Sequence, residues 1–365
     1  MNRPPFSTRA LGIACRLGRK GVLGAMLSIG LAAAATPPVA AAEPLSVGMR
    51  SLTITTKEPG RVLPTLVWYP AGPGGEEVLI GDNPVIVGTH VRRDAPVAPG
   101  RHPLLLISHG SGGNGAGLSW LTTRLAARGY MVVAMNHPGT TSGDSNEKLT
   151  MELWHRPKDI SATLDHLLAA PDLAPSIDPK AVGALGFSLG GYDVLALAGA
   201  EQRRFAFAEY CNRNRTMMGC AWLRRGGVDF AALDPRFDEN HRDTRIRAVI
   251  AVDPAFTPSY DDKSLASVTV PVGVLNLGTP STTPGIIEGR AIVDLMPNAR
   301  LDRVPDAVHF SFLGICKPDA ARLLAEAGDE PICTDVPGGR DRAALHDDMT
   351  AKIFNFLGRM LPVGH

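Results

Sequence analysis

The chain has 365 residues, 44% of them hydrophobic, and its 37 basic and 36 acidic residues give a formal net charge of +1. This length is enough for one large domain or two small ones. The near balance of charge argues against nucleic acid or an anionic membrane surface as a partner.

The N-terminal segment differs in composition from the rest of the chain. Five basic residues precede an uncharged stretch at 21–35, and two prolines and the small residues at 40–42 follow it. This order is typical of a secretory signal peptide. A membrane anchor is the alternative, but a stretch of mostly Ala and Gly with two prolines makes a weak spanning helix. We therefore predict a signal peptide at 1–42, cleaved near Ala42, and a periplasmic or secreted chain at 43–365 without stable membrane insertion.

Beyond this segment, short apolar runs alternate with stretches of helical periodicity. The first run is stopped by Pro70, and the helix that begins at Pro157 has its proline in the first turn, where one is tolerated. Alternation of this kind predicts an α/β domain with a mostly parallel sheet and helices on both faces. The predicted strands are 65–69, 104–108, 131–135, 181–187, 246–252 and 270–277, and the predicted helices are 118–128, 157–169, 191–200 and 343–357.

A glycine-rich loop follows the buried strand at 104–108. Residues 110–115, Gly-Ser-Gly-Gly-Asn-Gly, fit the G-x-G-x-x-G pattern of dinucleotide binding, but such a loop can also aim backbone N–H groups at an oxyanion. A dinucleotide site needs an acidic residue about 20 positions further on, to hold the ribose hydroxyls. No acidic residue occurs between Gly110 and Gly143, which favours the oxyanion interpretation.

A second glycine-bounded turn lies where the strand at 181–187 meets the next helix. Residues 186–191, Gly-Phe-Ser-Leu-Gly-Gly, fit G-x-S-x-G, in which a serine on a sharp strand-to-helix turn projects its Oγ above the sheet. In a chain with 39 glycines the pattern could also arise by chance as an ordinary turn. Because a strand precedes it and a helix follows it, we predict that Ser188 is a nucleophile.

A nucleophilic serine needs a base, and four histidines follow Ser188 along the chain. Where this turn occurs in hydrolases, the acid and then the histidine follow the serine along the chain. His309 lies in the loop after the last apolar alternation and is the predicted base, with a core-packing histidine as the alternative. His241 precedes the acid candidate, His346 is expected to be exposed or capping within the closing helix, and His365 is terminal.

The acid that orients the histidine is expected at the carboxyl end of a strand. Asp253 directly follows the apolar strand at 246–252, at the sheet edge where sites of this class lie. The loop after the strand at 270–277 offers no carboxylate, and Glu288 lies farther on in a predicted helix. We therefore predict Asp253 as the acid, with a turn or helix cap as its alternative role.

Residues 201–245 form an insertion between the helix after Ser188 and the strand that leads to Asp253. We predict that it is a small cap beside the nucleophile, where apolar side chains such as Trp222 line an acyl pocket. Arginine forks bind carboxylates, so Arg224 and Arg225 are candidates for holding an anionic substrate. A solvated loop whose arginines only confer solubility is the alternative.

Four cysteines remain beyond the signal peptide, an even number that suits an oxidising compartment. Cys211 and Cys220 are close in sequence, as are Cys316 and Cys333, and we predict that each pair is a disulfide. Neither pair has C-x-x-C spacing and no histidine is suitably interleaved, which argues against a zinc site. Loss of 1–42 removes five basic and no acidic residues, so the net charge becomes −4 and again favours no nucleic-acid partner.

A set of short motifs between about Thr65 and His309 resembles the α/β-hydrolase superfamily, and within it the predicted dienelactone hydrolases and the platelet-activating-factor acetylhydrolases. The resemblance implies an α/β-hydrolase fold with a small inserted cap, and an oxyanion hole formed by the N–H groups of Ser111 and Leu189. Acetylhydrolases carry the acid on the earlier strand, which supports Asp253, whereas dienelactone hydrolases proper use a cysteine nucleophile. The motifs are Trp68-Tyr69-Pro70, His109-Gly110, the turn at 186–191, Asp253-Pro254 and Val308-His309.

These residues together predict an exported serine hydrolase that cleaves small to medium carboxylic esters through an acyl-enzyme, without a metal or an organic cofactor. The expected partner is a small-molecule ester. A peptidase of the prolyl-oligopeptidase-like type is the alternative among enzymes, because G-x-S-x-G-G also occurs there. A nucleotide-dependent oxidoreductase and a non-catalytic binding protein on the same scaffold are the alternatives from other classes.

Overall fold

A ten-stranded sheet organises the chain. The computed structural model describes residues 45–364, and the predicted signal peptide at 1–42 lies outside the described residues. The strands are β1 (Val47–Thr55), β2 (Val62–Pro70), β3 (Glu76–Ile80), β4 (Thr89–Arg93), β5 (His102–Ser108), β6 (Met131–Met135), β7 (Ile177–Phe187), β8 (Ala248–Val252), β9 (Val272–Leu277) and β10 (Ala299–Val304). They lie side by side in the order β10-β9-β8-β7-β5-β6-β2-β1-β4-β3.

Six of these strands form a parallel core, and five of the six, β5 to β9, are among the strands predicted from the sequence. Strands β5 to β10 run parallel in the order β10-β9-β8-β7-β5-β6. Strands β5, β6, β8 and β9 are buried along their whole length, as strands covered on both faces must be. The core prediction is confirmed, with strand ends that differ from those predicted by at most four residues.

Helices cover both faces of the sheet, as predicted. Alternate side chains of β5 face opposite ways, since Leu104 and Leu106 join one apolar cluster and Leu105 and Ile107 the other. The first cluster includes side chains of α3 and α4, and the second those of α1 and α10. The helices are α1 (Ser119–Ala126), α2 (Glu147–Thr150), α3 (His155–Ala169), α4 (Leu189–Ala198), α5 (Arg204–Arg213), α6 (Met218–Arg225), α7 (Asp262–Ser267), α8 (Arg290–Val293), α9 (Ala320–Ala327) and α10 (Arg342–Met360). Within residues 45–364, no helix has both the length and the hydropathy needed to cross a membrane.

Strands β1 to β4 extend the sheet beyond β6, and the sequence predicted only β2. Strand β2 pairs antiparallel with both β6 and β1, and β4 joins β1 to the edge strand β3. The edge pair is short and charged, with Glu76 facing Arg93 in an ion pair of 3.2 Å. Charges on an edge strand discourage pairing with another chain. Because these strands are not apolar runs, the sequence pattern did not predict them.

The insertion at 201–245 is helical throughout its regular structure. It contains α5, α6 and a short 3₁₀ turn at Pro235–Asp238. A disulfide between Cys211 and Cys220 joins α5 to α6, and a second one joins Cys316 to Cys333. These are the two predicted pairs, and each limits the freedom of a loop segment in the unfolded chain.

His346 is buried in α10, which corrects the expectation that it is exposed or capping. Its ring stacks on Trp120 at a centroid distance of 3.6 Å, and its Nε2 lies 3.1 Å and 3.0 Å from the carbonyl oxygens of Ser311 and Leu313. Burial lowers the pKa of His346 to about 4. Its Nδ1 has no hydrogen-bond partner among the described residues, so a second proton there is unfavourable.

We expect the burial of His346 to make the fold less stable in mild acid. Between pH 6.5 and 4 the unfolded chain binds a proton at this histidine and the folded chain does not, so stability falls as pH falls. From pH 7.5 to 5.0 this one group should remove about 2 kcal/mol from the free energy of unfolding. Urea denaturation at both pH values measures this loss. Between the two pH values the free energy of unfolding of His346→Gln should fall by about 2 kcal/mol less than that of the wild type. The exposed control His166→Gln should match the wild type. Equal pH dependence in all three proteins would contradict the prediction.

Candidate active site

Ser188 lies at the turn between β7 and α4 in a strained backbone conformation. Its φ of 57° and ψ of −116° lie outside the regions that residues other than glycine ordinarily occupy. The turn requires its glycines, because a Cβ on Gly186 would collide with the carbonyl oxygen of Gly190, and a Cβ on Gly190 with that of Ser108. The Ser188 N–H donates to the carbonyl of Val252 at 2.9 Å, which ties the turn to the end of β8.

The structure places the three predicted triad residues in one hydrogen-bonded row. Nδ1 of His309 lies 2.9 Å from Oδ2 of Asp253, and Nε2 lies 3.1 Å from Oγ of Ser188. A carboxylate only accepts, so Nδ1 carries the proton and Nε2 is free to accept from the hydroxyl. Asp253 is fully buried, whereas 22% of the His309 side chain is exposed. A serine in this arrangement can pass its proton to the imidazole as it attacks a carbonyl carbon.

Asp253 is held in place through its other carboxylate oxygen. Oδ1 accepts from the backbone N–H of Leu277 and from Nδ2 of Asn276, each at 2.9 Å. Asn276 is fully buried in β9 and also donates to the carbonyl of Ile287 at 2.8 Å. These bonds hold Asp253 at a φ of 43°, which is unusual outside glycine. The sequence reasoning missed Asn276, and its only signal was a single amide in an apolar strand.

Glu288, the other carboxylate considered from the sequence, is engaged elsewhere. Its Oε1 lies 2.5 Å from Nη2 of Arg303 and accepts from the backbone N–H of Arg290 at 2.9 Å. In the described part of the chain, His309 is hydrogen-bonded to no carboxylate other than Asp253.

The glycine-rich loop at 110–115 passes directly beside Ser188. A Cβ on Gly110 would lie 3.2 Å from the Cβ of Ser188, so a side chain there would press against the serine. Ser111 and Leu189 border the same cavity as Ser188. Their backbone N–H groups donate to no acceptor within residues 45–364. Both groups are therefore available to an oxyanion that forms on a substrate at Ser188.

A cavity of about 360 Å³ opens at Ser188 and has a mostly apolar lining. The insertion at 201–245 contributes four of the lining residues, all of them on α6. Trp222 is one of these, as the sequence predicted for a pocket residue. The described lining comprises Ser111, Gly112, Ser145, Thr150, Met151, Ser188, Leu189, Met218, Gly219, Trp222, Leu223, Ala255, Phe256, His309, Phe310 and Glu330.

Arg224 and Arg225, the predicted substrate-binding arginines, are not among the residues that line this cavity. The cavity-facing residues of α6 are Met218, Gly219, Trp222 and Leu223. By helical spacing Arg224 lies on the opposite side of α6 from them, whereas Arg225 lies beside Met218 at the end of the helix. Arg224 donates to the carbonyl of Cys211 at 3.0 Å, and Arg225 is exposed. Among the described lining residues there is no lysine or arginine.

A larger groove of about 620 Å³ lies along α3 and the chain at 240–242, away from the hydrogen-bonded row. It contains neither Ser188 nor His309, so we place the chemistry at the smaller cavity. Among residues 45–364, no three His, Cys, Asp or Glu side chains are grouped so that they could hold a metal ion.

Comparisons with known proteins agree with this geometry at the level of the family. The model of the alpha/beta hydrolase family matches residues 104–354. Lipase 1 from Moraxella sp. (strain TA144) is 31% identical over 81 residues, which are 22% of this chain and 23% of the lipase, so the chain matches less than a quarter of that curated relative's length. A ferulic acid esterase structure from Streptomyces cinnamoneus has a TM-score of 0.59 at 21% identity, covers 88% of this chain and 92% of its own, and shows a shared fold. The chain belongs to the alpha/beta hydrolase family.

Proposed function

We propose that the chain is an exported serine hydrolase that cleaves neutral carboxylic esters of small to medium size. The observation that carries this proposal is the hydrogen-bonded row from Ser188 through His309 to Asp253, beside an apolar cavity. The names of two similar proteins, a lipase and a ferulic acid esterase, point to the same reaction class.

In the proposed reaction, His309 accepts the proton of Ser188 as its Oγ attacks the ester carbonyl. Asp253 keeps the imidazole in the required tautomer and stabilises the imidazolium. The N–H groups of Ser111 and Leu189 bind the tetrahedral oxyanion. His309 then gives its proton to the leaving alcohol, and water, activated by the same histidine, cleaves the acyl-enzyme.

The cavity supports a substrate without a negative charge. Its volume of about 360 Å³ is near the lower end of the range of about 300–1,000 Å³ for small-molecule pockets. Apolar side chains from α6 and from Phe256 and Phe310 suit an acyl chain or a ring. Glu330 is the one acidic side chain in the described lining, and it repels a substrate carboxylate.

Export of the chain belongs to the proposal as well. Residues 1–42 have the composition of a signal peptide. The bonded pairs Cys211–Cys220 and Cys316–Cys333 support export, because disulfides form and persist in oxidising compartments such as the periplasm or the extracellular medium.

A series of nitrophenyl esters of increasing acyl length tests the proposed activity. We expect kcat/KM to be highest for short and medium chains and to fall for long ones, because the cavity is small and bordered by α6, which a disulfide links to α5. Peptide nitroanilides should be cleaved far more slowly. Faster cleavage of the peptides would favour the peptidase interpretation, and faster cleavage of long-chain triglycerides would exclude the small-ester specificity.

A matched pair of substrates tests the charge preference. The neutral diester should be cleaved faster than its monoester acid. Glu330→Gln should raise kcat/KM for the monoester acid by about threefold and leave that for the diester unchanged. The effect is small because water and salt screen an exposed charge. Replacing Arg224 and Arg225 together by alanine should leave the ratio of the two substrates unchanged. A loss of activity on the acid in that double variant would restore the arginines as substrate ligands.

A further inference from the structure

A buried guanidinium lies directly behind the glycine-rich loop. Arg156, on α3, is only 2% exposed. Its Nε donates to Oδ2 of Asp193 at 2.8 Å, its Nη1 to Oγ1 of Thr140 at 2.6 Å, and its Nη2 to Oγ of Ser108 at 3.0 Å and to the carbonyl oxygen of His109. All three guanidinium nitrogens are therefore engaged in the protein interior.

The partners of Arg156 belong to the elements that build the proposed site. Asp193 lies on α4, the helix that starts directly after Ser188, and it also accepts from Oγ of Ser108 at 2.6 Å. Ser108 ends β5, and His109 begins the loop that leads to Ser111. The rigid, planar guanidinium of Arg156 thus links α4 to the start of the glycine-rich loop.

The contact at His109 extends to the peptide that carries the Ser111 N–H. The carbonyl oxygen of Gly110 accepts from Nδ1 of His109 at 2.7 Å and from the N–H of Gly113 at 3.1 Å. In a trans peptide the N–H points opposite to the C=O, so fixing this carbonyl also fixes the direction of the Ser111 N–H. Burial holds the pKa of His109 well below its ordinary value, so the ring stays neutral. Its Nε2 faces the N–H of His137 at 3.4 Å and must accept there, which leaves the proton on Nδ1.

We propose that Arg156 is a positioning residue for the oxyanion hole: it fixes the backbone at His109 against α4 and so sets the direction of the Ser111 N–H. This inference rests on the proposed function, because it assigns Arg156 a part in the same reaction. A buried ion pair often stabilises a fold no more than apolar packing of the same volume would. Stability alone therefore gives little reason for a charge at this position, whereas a rigid fork with four acceptors suits the orientation of a loop.

Arg156→Lys tests the proposal, because it keeps the charge opposite Asp193 and removes the planar fork. A trifluoromethyl ketone, which adds to a catalytic serine and places an oxyanion beside it, reports directly on the oxyanion hole. We expect its inhibition constant to rise, and kcat to fall, by about 10- to 100-fold, somewhat less than the loss of a whole oxyanion donor. KM should change by less than about twofold, because the donor acts mainly in the transition state. A residue with a merely structural role would lower Tm and leave the inhibition constant unchanged.

Two further variants keep the result interpretable. Thr140→Val removes one anchor of the guanidinium without a change of charge. It should raise the inhibition constant of the trifluoromethyl ketone by a smaller factor than Arg156→Lys does, and it takes the place of that variant if the lysine variant fails to fold. Arg245→Lys is the control. The guanidinium of Arg245 donates to Asp243, Asp165 and the carbonyl of Ser161, none of them in the glycine-rich loop, so this variant should bind the inhibitor as the wild type does. Unchanged inhibition in both Arg156→Lys and Thr140→Val would overturn the positioning role. A wild type that neither cleaves esters nor binds the ketone would instead remove the proposed function, and this inference with it.

Discussion

Ser188→Ala is expected to abolish acylation while leaving a folded protein. The variant removes only the Oγ that lies 3.1 Å from Nε2 of His309, and the strained turn keeps both of its glycines. A serine-directed fluorophosphonate should add one label per molecule to the wild type and none to the variant, as measured by intact mass. Ester hydrolysis should fall by about 10⁶-fold, the loss seen when the nucleophile of a serine hydrolase is removed.

The cavity itself provides a matched control for the labelling experiment. Ser145 is another serine in the lining, and His309 makes no hydrogen bond to it. Ser145→Ala should be labelled as the wild type is. Labelling of Ser188→Ala at equal stoichiometry would mean that the nucleophile is another residue, and an unlabelled wild type would favour a non-catalytic binding protein.

Asp253→Asn is expected to reduce kcat by up to about 10⁴-fold. The carboxylate accepts the Nδ1 proton of His309 at 2.9 Å and so leaves Nε2 free to act as a base. An asparagine that keeps both donors to Oδ1, from Leu277 and Asn276, turns its own amide N–H₂ toward His309. That amide favours the tautomer with the proton on Nε2, which cannot accept from Ser188.

Glu288→Gln is the matched control for Asp253→Asn. Glu288 contacts Arg303 and Arg290 and not the histidine, so its variant should keep kcat within about threefold of the wild type. Steady-state rates with one short nitrophenyl ester give kcat for both variants and so show which carboxylate is the acid. Thermal unfolding shows that both variants fold. If Glu288→Gln lost far more activity than Asp253→Asn, the acid would have to be reassigned.

Much of the fold follows from local sequence patterns. The buried parallel strands are visible because each is a continuous apolar run, and the turn at Ser188 is visible because glycines flank it on both sides. The edge strand β3 and its neighbour β4 were missed, since their charged residues resemble a loop. Propensity and periodicity describe single elements, and a short charged strand acquires its identity only from the neighbour with which it pairs.

The sequence by itself determined the parallel α/β core, the strained serine turn and the order in which serine, acid and histidine occur, because these depend on neighbouring residues and on chain order. Only the tertiary structure decided how distant residues meet. It brought Asn276 to Asp253, stacked His346 on Trp120, and bound the guanidinium of Arg224 to the carbonyl of Cys211 instead of placing it in the cavity. The junction of α3, α4 and the glycine-rich loop at Arg156 is of the same kind. Such contacts join residues far apart in the chain, and packing of whole elements, rather than any local pattern, sets which of them form.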